Sequence, residues 1–152
     1  SASYVYMAMS SFFSLDTVAL PGFSKFYCQQ SKEEREHAQK LIDYMSKRGG
    51  VVKYADIVAP PHYAELNTTA LSILEESLEM EKMVNARLLS LHGLAEKHGD
   101  PQLEDFIEQA YLEEQVESIK QFADLITQLQ RAGGEGLGLY LFDQKLHETD
   151  PK

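Results

Sequence analysis

The stretch PGFSKFYCQQSKEEREHAQKLIDYMSKRGG, residues 21–50, reads as one long amphipathic helix whose core stripe is interrupted by polar groups. Pro21 suits a first helical turn, and Gly49 with Gly50 supplies a stop. Steps of four and three along one face give Phe23, Tyr27, Gln30, Glu34, His37, Leu41 and Tyr44. That face is apolar at both ends and polar in the middle.

Three further helical segments surround this one. The first runs from the start to about Phe13 and has no capping signal before it. A third begins after Asn67 or Thr68 and continues to about Lys97. Asp100 and Pro101, an N-cap and a first-turn proline, open a fourth that ends near Arg131 before Gly133 and Gly134. The first and second helices are separated by about seven residues and the third and fourth by about three, so each pair is expected to pack antiparallel. Residues 49–67 carry Pro60 and Pro61 without helical pattern. Extended, they reach roughly 60 Å, against about 42 Å for a helix of about 28 residues. The expected fold is therefore all-α: a four-helix bundle with one long crossover, a single domain over 1–152. A short apolar fifth helix at 137–147 either caps an end of the bundle or meets other subunits, the second being the expected role.

The third helix shows the same interruption, with Leu71, Leu74, Leu78, Glu81, Asn85, Leu88, His92 and Ala95 on one stripe. On the fourth the stripe is Leu103, Ile107, Ala110, Tyr111, Glu114, Gln115, Ser118, Phe122, Ile126 and Leu129. An ionised carboxylate inside a bundle costs several kcal/mol unless it is paired or bound to metal. No lysine or arginine lies on these stripes at that height, so the compensating charge is expected from a bound cation. Glu34 and His37, one turn apart, can converge on one ion. Alone, a Glu-x-x-His pair is ordinarily a solvated face; polar positions at matching depth on three helices turn the reading to metal. Oxygen and nitrogen donors of this mixture suit Fe(II), with Zn(II) or Mn(II) as other occupants. His92, a lone histidine on an apolar stripe, is expected to be a satisfied core group.

Composition agrees with a cation ligand. Acidic residues outnumber basic ones 24 to 14, for a formal net charge of −10, which argues against nucleic acid or an anionic membrane surface as partner. No apolar run reaches the roughly 20 residues of a membrane span. Cys28 is the one cysteine, expected as a core thiol and consistent with a reducing, cytoplasmic location. Because the chain opens at Ser1, a removed leader stays open.

Several motifs carry a resemblance that covers nearly the whole chain: SYVYMAMS at 3–10, EEREHA at 33–38, RGG at 48–50, EKMVN at 81–85, DPQLEDFIE at 100–108 and EQVESIK at 114–120. Together they resemble eukaryotic ferritin of the heavy-chain, ferroxidase type. The resemblance implies iron storage in a homo-oligomeric hollow shell of 24 subunits, with Fe(II) as substrate and O2 as oxidant at a di-iron site inside each bundle. It assigns Glu34 to bridge the irons, His37 to the first and Glu81 to the second, with Gln115 beside it and Tyr6 hydrogen-bonding nearby. Glu33 would bind or pass on the second iron. Asp105 and Glu108, otherwise explained by the helix dipole, would line the route by which Fe(II) enters. The final apolar segment matches a fifth helix at the shell's fourfold axes. Glu114 matches an outer position, so the stripe overstates it as a ligand. The family's first ligand, a first-helix glutamate, would stand two residues before Ser1, and the first helix is expected to be truncated at its N-terminus.

Other functions compete with this one. A non-catalytic, light-chain-like subunit would keep the fold and lose the site, which the retained Glu34, His37 and Glu81 disfavour and the missing first-helix glutamate keeps open. A di-iron oxygenase would carry a second Glu-x-x-His; here Glu117 stands three residues after Glu114. A helical signalling bundle would not explain buried acids.

Overall fold

The computed structural model describes residues 1–149, so the last three residues of the expected domain lie outside the described residues. All regular structure among the described residues is helical. Helix α1 spans Ala2–Phe13, α2 Pro21–Lys47, α3 Ala70–Lys97, α4 Pro101–Ile107, α5 Glu113–Ala132 and α6 Gly136–Glu148. The expected all-α class and helix order hold. No helix is long and apolar enough to cross a membrane.

The described residues fall into two compact units: Ser1–Thr69 with the residues from Ala132 onward, and Ala70–Arg131. In the first, α1 and α2 pack antiparallel and are tied at two levels by paired serines. Ser3 Oγ donates to the Ser31 carbonyl at 2.8 Å and Ser31 Oγ returns a bond to the Ser3 carbonyl at 2.7 Å. Ser10 and Ser24 repeat the exchange at 2.8 and 3.0 Å. An aromatic core runs from between these ties, at Tyr6 and Tyr27, to beyond the Ser10–Ser24 tie, at Phe13 and Phe23. Phe13 stacks on Phe23 and Tyr27 with ring centroids 4.8 and 5.7 Å apart, and Tyr6 meets Tyr27 at 5.6 Å. All four rings are fully buried, and such pairs add about 0.5–1.5 kcal/mol each beyond the area they bury.

Residues 50–62 have no regular structure, in keeping with their composition. They end in a 3-10 turn, Tyr63–Glu65, which the sequence pattern did not predict. Its Tyr63 is buried, places its ring 6.3 Å from Phe12, and accepts a 2.8 Å bond from Thr68 Oγ1 on its carbonyl.

In the second unit, α3 runs into α4 through a turn at Gly99. Asp100 caps α4 as expected, its Oδ1 accepting from Leu103 N at 3.1 Å. The fourth predicted helix is not regular: a π turn, Glu108–Leu112, joins α4 to α5. Its effect is on phase. Ile107 and Gln115 are eight residues apart, which in a regular α-helix puts them about 80° out of line. A π turn takes up about one extra residue, so the two fall within about 20° of each other. Ile107, Tyr111, Gln115, Phe122 and Leu129 therefore form one buried line.

Candidate metal centre

Each unit carries part of the predicted ligand set. On α2 the stripe that buries Phe23, Tyr27 and Gln30 continues to Glu34 and His37. Their side chains are 16% and 20% exposed, and His37 Nδ1 lies 3.3 Å from Glu34 Oε1. The i, i+3 spacing brings one carboxylate oxygen and one imidazole nitrogen to the same point on the helix surface. Glu33, one residue earlier, is half-buried and accepts from Gln29 Nε2 at 3.0 Å. Tyr6 lies in the aromatic core of the same unit, fully buried.

The second unit holds Glu81 and Gln115. Glu81 is 1% exposed and Gln115 2%. Gln115 Nε2 donates to Glu81 Oε2 at 3.0 Å and to the Glu81 carbonyl at 3.2 Å. With both acceptors on Glu81, the amide nitrogen is the end of Gln115 that faces the carboxylate. The π turn is what brings Gln115 onto the buried line of its helix.

Asp105 and Glu108 are exposed and do not join this pair. Asp105 Oδ1 accepts from Gln109 Nε2 at 2.9 Å, and Glu108 Oε1 lies 2.7 Å from His92 Nε2. Among the described residues no group of three or more histidine, cysteine, aspartate or glutamate side chains gathers closely enough to hold one metal ion. What the structure brings together is therefore an acid–imidazole pair in one unit and an acid–amide pair in the other. Both offer the oxygen and nitrogen donors that a hard or borderline divalent cation takes.

Two expectations are corrected, and the stripe's placement of Glu114 gives way to the family pattern's. Cys28 is exposed, because it stands one residue, about 100°, past Tyr27 and so turns off the buried stripe of α2. His92 is not a core group: its side chain is 24% exposed and satisfied by Glu108. Glu114 is exposed next to the buried Gln115, so it belongs to the outer face, where the family pattern put it and the stripe did not. Asp143 on α6, 2% exposed, was missed; an acid set inside the apolar run LGLYLFDQKL was the available signal.

Comparison with known proteins follows the same line. The family model described as Ferritin, Ferritin-like domain, matches residues 1–132. The soma ferritin of Lymnaea stagnalis is 49% identical over 144 residues, covering 95% of this chain and 81% of that protein. Ferritin-2, chloroplastic, of Zea mays is 47% identical over 152 residues, and ferritin-3, chloroplastic, of Glycine max is 48% identical over 151. Those matches cover 96% and 97% of this chain but 59% of each plant protein, so the chain spans little more than half of their length.

Proposed function

The chain belongs to the ferritin family of iron-storage proteins, and from that premise we propose that it is also a ferroxidase, oxidising Fe(II) with O2. In this reading Glu34, His37 and Glu81 bind iron, Gln115 orients the Glu81 carboxylate, and Tyr6 serves the site from the aromatic core. Glu33 hands iron on, and Asp105 and Glu108 draw Fe(II) in from outside. Iron is the substrate. Two Fe(II) each give up one electron, and O2 takes both with two protons, leaving Fe(III) for storage and hydrogen peroxide.

The observation that supports it most is Glu81. A carboxylate withdrawn from water on a chain of net charge −10 is an expensive placement, and a divalent cation bound there offsets it. Gln115 adds to this by aiming a neutral donor at the carboxylate, which fixes its rotamer.

The test is oxygen uptake and Fe(III) absorbance after Fe(II) is added to the metal-free protein in air. Fast uptake in the native protein is expected, with Glu34→Ala, His37→Ala and Glu81→Ala each slowing it by at least about tenfold, since losing even a group that only hydrogen-bonds to a metal ligand costs about that much. Iron that accumulates with no oxygen uptake above the protein-free rate would leave the non-catalytic storage subunit as the correct reading. Assembly into a 24-chain homo-oligomeric shell, read by mass, and a cytoplasmic location are parts of the same proposal. Fractionation with plastids, the location in the names of the maize and soybean relatives, would overturn the second.

A further inference from the structure

Helix α2 starts without a cap of its own. Leu20 at the N-cap has no side-chain oxygen and Pro21 has no N–H, yet the first amides of a helix need acceptors. For Phe23 that acceptor comes from the far end of the chain: its N–H donates to Asp143 Oδ1 on α6 at 2.9 Å. Asp143 is 2% exposed, and carboxylates are almost never so buried unless partnered. At the C-terminal end of α6, Thr149 satisfies two carbonyls from within the segment, its N–H donating to Leu146 at 3.3 Å and its Oγ1 to Lys145 at 2.9 Å, and two later carbonyls are met from α2. Lys25, on the same first turns of α2, donates to the carbonyls of His147 and Thr149 at 2.9 and 3.4 Å. The start of α2 thus takes an acceptor from α6, and the end of α6 takes a donor from α2.

The fit around this exchange is close. A Cβ on Gly22 would lie 1.9 Å from the Asp143 carbonyl oxygen, so only glycine admits α6 at this distance. Phe142 stacks on Phe23 at 5.5 Å beside it. Helix α6 has 13 residues and no side-chain N-cap, a length marginal for an isolated helix; docking is what holds it. At its start stand Gly133, Gly134 and Gly136 at φ +102°, +71° and +57°, with the extended Glu135 between them; glycine adopts positive φ without penalty.

We propose that α6 is a strap, hinged at Gly133–Gly136 and latched by Asp143 and Lys25, that opens and closes together with the first turn of α2. The two segments form one cooperative unit in the sense of local unfolding: opening α6 removes the Phe23 cap, and fraying α2 removes Lys25 from the end of α6.

Amide hydrogen exchange on the full chain, followed by mass spectrometry, tests this. In the native protein residues 22–26 and 140–147 are expected to exchange with the same protection, within about threefold. Asp143→Ala raises exchange in both by about tenfold or more, the ratio that a bond to a buried carboxylate supports, while the middle of α3 is unchanged. Asp143→Asn keeps an acceptor oxygen and stays near native. If α6 opens in Asp143→Ala while residues 22–26 keep native protection, the proposal is wrong. Should Asp143→Ala fail to fold, Lys25→Met, which removes only the contact to the α6 carbonyls, is read instead. Faster exchange in both segments supports the latch; a change confined to α6, or no change, overturns it.

Discussion

Replacing Gln115 with leucine removes a donor from a buried carboxylate while leaving the volume of the side chain nearly unchanged, so no large cavity confuses the result. Two bonds are lost, at 3.0 Å to Glu81 Oε2 and 3.2 Å to the Glu81 carbonyl. A bond to a charged group contributes about 1.5–3 kcal/mol. The second acceptor is a carbonyl already within the α3 hydrogen-bond ladder and adds little. A loss of about 2–3 kcal/mol is expected for the metal-free protein, or about 5–10 °C in Tm for a domain of this size. Glu81→Leu, made alone, leaves the Gln115 amide with its 3.2 Å bond to the residue-81 carbonyl but without its carboxylate acceptor, and is also destabilising. Together the two leucines remove both partners, and such paired replacements come out close to neutral. The double-mutant cycle should therefore return a coupling of about 1.5–3 kcal/mol. Guanidinium unfolding at matched protein concentration measures it. A coupling below about 0.5 kcal/mol, or a Gln115→Leu protein as stable as the native one, would refute the placement of Glu81 against Gln115. Anaerobic Fe(II) provides a second arm: at about 100 times its Kd it stabilises the native protein by about 2.7 kcal/mol, and Glu81→Leu should lose most of that increment.

Asp100→Ala removes the N-cap of α4 and should lower stability by about 1 kcal/mol, whereas Asp100→Asn stays within a few tenths; thermal unfolding separates them. Ser31→Ala deletes one bond of the serine exchange nearest Glu34 and should lower stability by about 1 kcal/mol, with Ser24→Ala equivalent and the pair additive because the two ties are remote from each other. Cys28 should react with a maleimide without denaturant, as an exposed thiol does, and reaction only after unfolding would contradict its outward position on α2.

Much of this architecture was legible because helices announce themselves locally. Pro21, Asp100 and the glycine pairs fixed element ends to within a residue or two, and the stripe through Phe23, Tyr27 and Gln30 identified the face that carries Glu34 and His37. What periodicity could not convey was a change of period. The stripe of the fourth helix had to offer Glu114 and Gln115 together, since a regular helix gives no means of choosing between them. The π turn at Glu108–Leu112 makes that choice. Cys28 was misjudged for a related reason: a general burial preference for thiols was set above a phase that already turned the residue outward. Asp143 illustrates another limit. Its partner is an amide 120 positions away, and no local pattern reports where an unsatisfied helix end will find its acceptor.

The serine ties between α1 and α2 act as a graduated scale. Since Ser3 stands opposite Ser31 and Ser10 opposite Ser24, each step back along α1 advances one step along α2 in the direction of His37. Ser1 comes level with Glu33, and a position two residues earlier would come level with Arg35, between Glu34 and His37. On an opening helix that ran one turn further, a side chain at that position would come level with the acid–imidazole pair without any adjustment of register.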